Sequence, residues 1–266
     1  MPELATAPES GEDEKESMQT MGFLDHLEEL RKRIIYSVIA VAVGFGVCWW
    51  KVEKIYDFVQ RPIVEVLVKH NYAPKLGYLN PTDPFNLYLK VAALAGLFLT
   101  SPFVLYQVWS FIAPGLYRKE KKYVVPFMVS TITLFVFGGY FGYRIVYPAA
   151  LDFLIGFGNQ FQPMITIGEY TSLLLRIVLG MGLIFEMPIL VFFLALMGIV
   201  SAGFMWKNFR YSILVIFIIA AIVTPTTDIL NMCIFAAPMI ALYAVSIGVA
   251  WLVHPKQRAK RREKQA

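Results

Sequence analysis

The side chains in this sequence best able to do chemistry are carboxylates, and they stand out at three places. In FLDHLEELRKR (Phe23 to Arg33), Asp25, Glu28 and Glu29 come just before Arg31, Lys32 and Arg33, and the apolar run IIYSVIAVAVGFGVCWW follows at once. In PGLYRKEKKY (Pro114 to Tyr123) a single acid, Glu120, stands among four bases. In GLIFEMPIL, Glu186 sits inside an apolar run, two residues before Pro188. No Ser/His/Asp set, HExxH or Gly-rich phosphate loop accompanies them, so an enzyme is not expected. Carboxylates gathered at a membrane surface suit a guanidinium, which binds them in a two-pronged fashion.

Each acid also has a plainer reading. Leu24, Leu27, Leu30 and Ile34 fall at helical spacing, so the first stretch is an amphipathic helix. Glu28 and Lys32, like Glu29 and Arg33, are then i,i+4 pairs in the favourable order, contributing roughly 0.2–0.5 kcal/mol each. That leaves Asp25 crowded against two like charges. Glu120 reads either as a lone compensating acid in a basic loop or as an acidic point on the same surface. An ionised Glu186 in a span costs about 2.5–3.5 kcal/mol on insertion scales, so it is a functional position by default. Its plainer readings are a protonated carboxyl bonded to a neighbour, with Gln107, Thr131 and Thr133 as candidates, or a pair with Arg176 or Lys90. Asp228, in TPTTD, either caps a helix or sits in a turn.

The elements that position these acids are membrane spans. Of 266 residues, 58% are hydrophobic and 16% charged. Soluble domains carry about 25% charged residues. Mean hydropathy is +0.59. Residues 1–20 lack the apolar core of a signal peptide and read as a disordered, solvated tail. Residues 21–253 form the membrane domain, and residues 254–266 a basic tail. Spans are expected at about Ile34–Trp50, Phe85–Ile112 (with a kink at Pro102), Val124–Tyr147, Glu169–Gly198 (broken at Glu186-Met187-Pro188), Tyr211–Val223 and Ile229–Val253. Between the first two, VEKIYDFVQRPIVEVLV has helical apolar spacing broken at Pro62, as in an interfacial cap. Pro148 to Gly168 reads as a loop with a short surface helix in LDFLIGFG. Cys48 and Cys233 fall in apolar runs, and the three histidines are scattered, so no disulfide framework or metal site is expected.

Charge bias sets the orientation. With the N-terminus inside, the inner segments hold Lys15, Arg31, Lys32 and Arg33, then Arg118, Lys119, Lys121 and Lys122, then Lys207 and Arg210, then six bases of the tail. The outer loops hold Lys51, Lys54, Arg61, Lys69 and Lys75 only. Both ends inside requires an even number of spans, so the short fifth is expected to cross a locally thinned bilayer, the alternative being a re-entrant hairpin with the sixth.

At these residues the sequence resembles the TatC family, the polytopic subunit of the twin-arginine protein translocase. HLEELRKR (His26 to Arg33), YQVWSFIAPGLYRKEKK (Tyr106 to Lys122) and FEMP (Phe185 to Pro188) match the family's motifs. TPTTD departs from them, which leaves Asp228 without a family role. The resemblance implies an all-α membrane protein, six helices in a curved, glove-like array with short fifth and sixth helices. It implies a receptor for twin-arginine signal peptides of folded proteins in the bacterial cytoplasmic membrane, driven by the proton-motive force with no cofactor. Glu29 and Glu120 would take the arginine pair, with Arg31 and Phe111 shaping the site; Glu28 and Asp25 are candidate contributors that the motif match does not reach. Glu186 would meet the signal peptide or the single-span partners TatA and TatB, in a homo-oligomeric or hetero-oligomeric complex. The competing class is a proton-coupled secondary transporter using Glu186.

Overall fold

The computed structural model describes residues 12–112, 124–158, 164–196, 198–223 and 229–263. Among them it is helical throughout, apart from one isolated bridge between Gly77 and Thr166. Five helices are long and apolar enough to cross a membrane, and a sixth, Phe209–Ile222, is apolar but shorter.

The first helix, α1 (Glu12–Trp50), is 39 residues long. It starts eight residues before the end of the segment expected as a solvated tail. The cap follows as α2 (Val52–Val59) and α3 (Arg61–Lys69), broken before Pro62 as its sequence requires. Ile63 is fully buried, and Val59, Val66 and Leu67 nearly so. The second span is α4 (Asp83–Ile112), which runs on through Pro102. Proline has no N–H for the carbonyl four residues back, here Phe98 O. The Ser101 hydroxyl donates to that oxygen at 2.8 Å.

Helix α5 (Val124–Phe141) passes through a π-helical turn, Gly142–Val146, into α6 (Tyr147–Phe157). The third span therefore reaches Phe157, and the loop and surface helix expected from Pro148 onward are its continuation. Pro148 lies in the first turn of α6, where its missing N–H is harmless, and the Tyr147 N–H bonds back to Gly142 O across the wider turn. Tyr147, Ala150, Leu151 and Ile155 are buried, which anchors the extension.

The fourth span is α7 (Ile167–Phe185) and α8 (Met187–Leu196), interrupted at Glu186 as the sequence indicates. After α9 (Ala202–Lys207) come α10 (Phe209–Val223) and α11 (Ile229–Glu263). At 15 residues, α10 is about 22 Å long, short of a hydrocarbon core of about 30 Å. The sixth span is not short: the apolar part of α11, Met232–Leu252, has 21 residues. Good helix formers (Ala, Lys, Arg, Glu) carry α11 into the basic tail.

The packing makes a wall rather than a bundle. Helices α1 and α4 run antiparallel and cross closely at Gly44 and Gly96, where a Cβ on Gly96 would lie 2.6 Å from Phe45 N. Small residues at such crossings let membrane helices approach without a hydrophobic driving force. Helix α4 meets α5 and α7, α8 meets α11, and α11 meets α10. Of the apolar window in α1 only 11% is buried, against 50% in α7–α8, so α1 forms an edge and α7–α8 the middle.

Candidate functional site

At the end of the molecule opposite the cap, α1 and α4 hold the acidic stretch in place. The His26 ring stacks on Phe111 with centroids 4.3 Å apart and planes 13° from parallel. Arg33 reaches from α1 to α4, its Nη1 donating to Gln107 Oε1 at 3.3 Å. The same guanidinium holds Glu29, with Nε 2.9 Å and Nη2 2.5 Å from Oε1. The i,i+4 pair expected from the sequence therefore forms. Both bonds fall on Oε1, and among the described residues Oε2 takes no hydrogen bond. Glu29 with Asp25, Glu28 and Lys32 lines a shallow depression of about 220 Å³. Asp25, Glu28 and Arg31 are exposed.

The structure thus brings Glu29, Glu28, Asp25 and Phe111 to one end. Glu120 and Asp228 lie outside the described residues. Gln107, expected beside Glu186, lies against Arg33. His26 and Arg33 complete this end, and nothing in the sequence marked them as the contacts to α4. The signal available was that His26 opens a motif whose other end closes with Arg33.

Glu186 occupies the break between α7 and α8. Its backbone carbonyl accepts from the N–H groups of Ile189 (3.1 Å) and Leu190 (2.9 Å), which restart the helix after the proline. Its two carboxyl oxygens are buried with no hydrogen-bond partner among the described residues. Neither expected cation reaches it: Lys90 Nζ is on Ser172 Oγ at 3.2 Å, and Arg176 is exposed. Thr131, on α5, is fully buried and its hydroxyl likewise has no partner among the described residues, whereas Thr133 is exposed. Flanking rings are Phe137 and Phe141, packed on Phe185 at 5.7 and 5.5 Å. Buried polar groups without partners cost free energy, more so when they can carry charge.

The family model of the Sec-independent protein translocase protein TatC matches residues 25–238. The chain belongs to the TatC family. A TatC from Koribacter versatilis is 68% identical over 94% of this chain and 93% of its own length. One from Carboxydothermus hydrogenoformans is 40% identical over 89% and 96%. A crystal structure of the twin arginine translocase receptor TatC superposes with a TM-score of 0.75 at 34% identity, covering 86% of this chain and 99% of the other. The protein is accordingly a component of a Sec-independent protein translocase, a multi-pass membrane protein and not an enzyme.

Proposed function

We propose that this chain is the receptor subunit that binds twin-arginine signal peptides and, with TatA- and TatB-type single-span partners, moves folded proteins across the bacterial cytoplasmic membrane at the expense of the proton-motive force. The charge bias of the sequence supports an orientation with both termini cytosolic, the α2–α3 cap outside and the acidic end inside. The observation that carries the reading is the state of Glu29. Arg33 fixes its carboxylate through Oε1, and among the described residues Oε2 stays open in an acidic depression. A carboxylate so held is pre-oriented for a guanidinium from outside the chain. Glu120, by its motif position, supplies the second acid, and Arg31 and Phe111 shape the same surface. Family membership supports the role, since solved relatives bear the name receptor. Glu186 serves a helix of a partner or of the signal peptide.

The test is photocrosslinking from positions beside Glu29 and Glu120 to a twin-arginine peptide and its twin-lysine counterpart. The twin-arginine peptide crosslinks and the twin-lysine peptide does so weakly, because an ammonium cannot grip a carboxylate at two points. Glu29→Ala with Glu120→Ala abolishes the crosslink while the chain still inserts. An unchanged crosslink in that double variant contradicts the site.

A further inference from the structure

Three charged side chains on the wall between α4 and α7 take no part in either region described above. Lys90, on α4, donates from Nζ to Ser172 Oγ on α7 at 3.2 Å, and the Ser172 hydroxyl in turn donates a hydrogen bond to Gly168 O at 2.8 Å. Arg176 follows Ser172 by four residues and Glu169 precedes it by three, so the three share one stripe of α7. Glu169 and Arg176 are exposed. Among the described residues no carboxylate lies within ion-pair distance of Lys90 or Arg176. A cation facing hydrocarbon costs about 2.5–3.5 kcal/mol on insertion scales. Two of them on one patch of a membrane wall call for an anion.

Depth decides which anion. Helix α4 and the α7–α8 span each contain about 30 residues, so each is about 45 Å long. Centred on a hydrocarbon core of about 30 Å, each projects about 7 Å beyond it at the cap end. Lys90 then sits about 3 Å inside that boundary, Ser172 at it, and Arg176 about 6 Å inside, each counted at about 1.5 Å per residue. Long basic side chains extend toward the headgroups from such depths. Glu169 stands about 4 Å outside the boundary, again at about 1.5 Å per residue. The cations therefore reach the level of lipid phosphates, and the acid the level of the headgroup above them. An acidic residue in mid-span of a partner helix would lie too deep.

The geometry points to a phospholipid site in the leaflet nearest the cap: a phosphate held between Lys90 and Arg176, with an ammonium-bearing headgroup against Glu169. Phosphatidylethanolamine has that chemistry. Phosphatidylglycerol offers the phosphate alone, and a choline headgroup lacks N–H donors for Glu169.

The experiment is native mass spectrometry of the purified full chain in mild detergent with added phosphatidylethanolamine, phosphatidylglycerol or phosphatidylcholine. The wild type retains phosphatidylethanolamine best. Lys90→Gln with Arg176→Gln lowers that retention about tenfold or more, as expected for loss of two charge-assisted hydrogen bonds. Glu169→Gln keeps phosphatidylglycerol retention and loses the preference for phosphatidylethanolamine. Lys90→Arg with Arg176→Lys keeps both charges and the lipid. Equal retention by the wild type and the Gln double variant overturns the site, as does a wild type that retains no lipid. Equal loss in the charge-keeping variant assigns the effect to folding and overturns it too. An unchanged preference in Glu169→Gln overturns the role given to that acid.

Discussion

The cap and the Glu186 break both arise from a proline that interrupts a helix, and the two treat the resulting polar groups in opposite ways. At the cap, Pro62 leaves Phe58 O without its helical donor. The Tyr143 hydroxyl, from the π-helical turn, donates to it, and the Tyr170 hydroxyl donates to Val59 O at 2.8 Å. Around them Lys69 and His70 hold Asp152 at 2.7 and 2.8 Å, and Arg144 lies 3.2 Å from Glu65. The bridge at Gly77, with bonds of 3.0 and 2.9 Å to Ile165 O and from the Ile167 N–H, ties the loop after α3 to the start of α7. At Pro188 the Ile189 and Leu190 N–H groups restart the helix on Glu186 O, but among the described residues both Glu186 carboxyl oxygens and the Thr131 hydroxyl stay unpaired. A region whose exposed carbonyls are answered by side chains of the same chain is architecture. One that leaves a buried carboxyl unanswered among the described residues is where we propose that another molecule supplies the donor.

Breaking the paired side gives the largest loss of stability. Tyr143→Phe with Tyr170→Phe strands two carbonyls, and the unfolding free energy in detergent falls by about 2–6 kcal/mol, at about 1–3 kcal/mol per unsatisfied group. Thermal unfolding measures it, and an unchanged midpoint would mean that the tyrosines do not hold the cap. On the unpaired side the sign reverses. Glu186→Leu removes an unanswered carboxyl, so the chain is as stable as the wild type or more stable by about 1 kcal/mol. A clear loss of stability there would reveal an internal partner. Ser101→Ala tests the comparison at a third proline, since it leaves Phe98 O without its donor, and it costs about 1 kcal/mol. The smallest effect is at the cap surface. Asp152→Asn weakens an exposed cluster and costs under about 1 kcal/mol, read by the same melt.

How far the sequence reached follows the same division. Apolar runs set the spans, the proline in each break set the ends of α2 and α7, and the bare carboxylates named themselves by position. The partners that answer polar groups were not legible. Tyr143 lies 85 residues from Phe58, and Tyr170 lies 111 from Val59, with no periodic signal to join them. The His26–Phe111 and Arg33–Gln107 contacts depend in the same way on how α1 lies along α4. Pro148 misled because a π-helical turn carries the helix past it, which local propensity does not announce. The short α10 was readable as a helix from its apolar run, and its 15 residues agree with the short fifth span expected. Conversely, α1 and α11 outrun their apolar segments because charged helix formers prolong a helix already nucleated by packing in the membrane.

The division itself is tested most directly by Glu186→Gln, which keeps shape and removes the carboxylate. In cells whose only copy of this subunit carries that change, export of a folded twin-arginine reporter is measured alongside the unfolding midpoint of the purified chain. The account predicts export lost or sharply reduced with the midpoint unchanged. Normal export, or a loss of export matched by a fall in the midpoint, contradicts it.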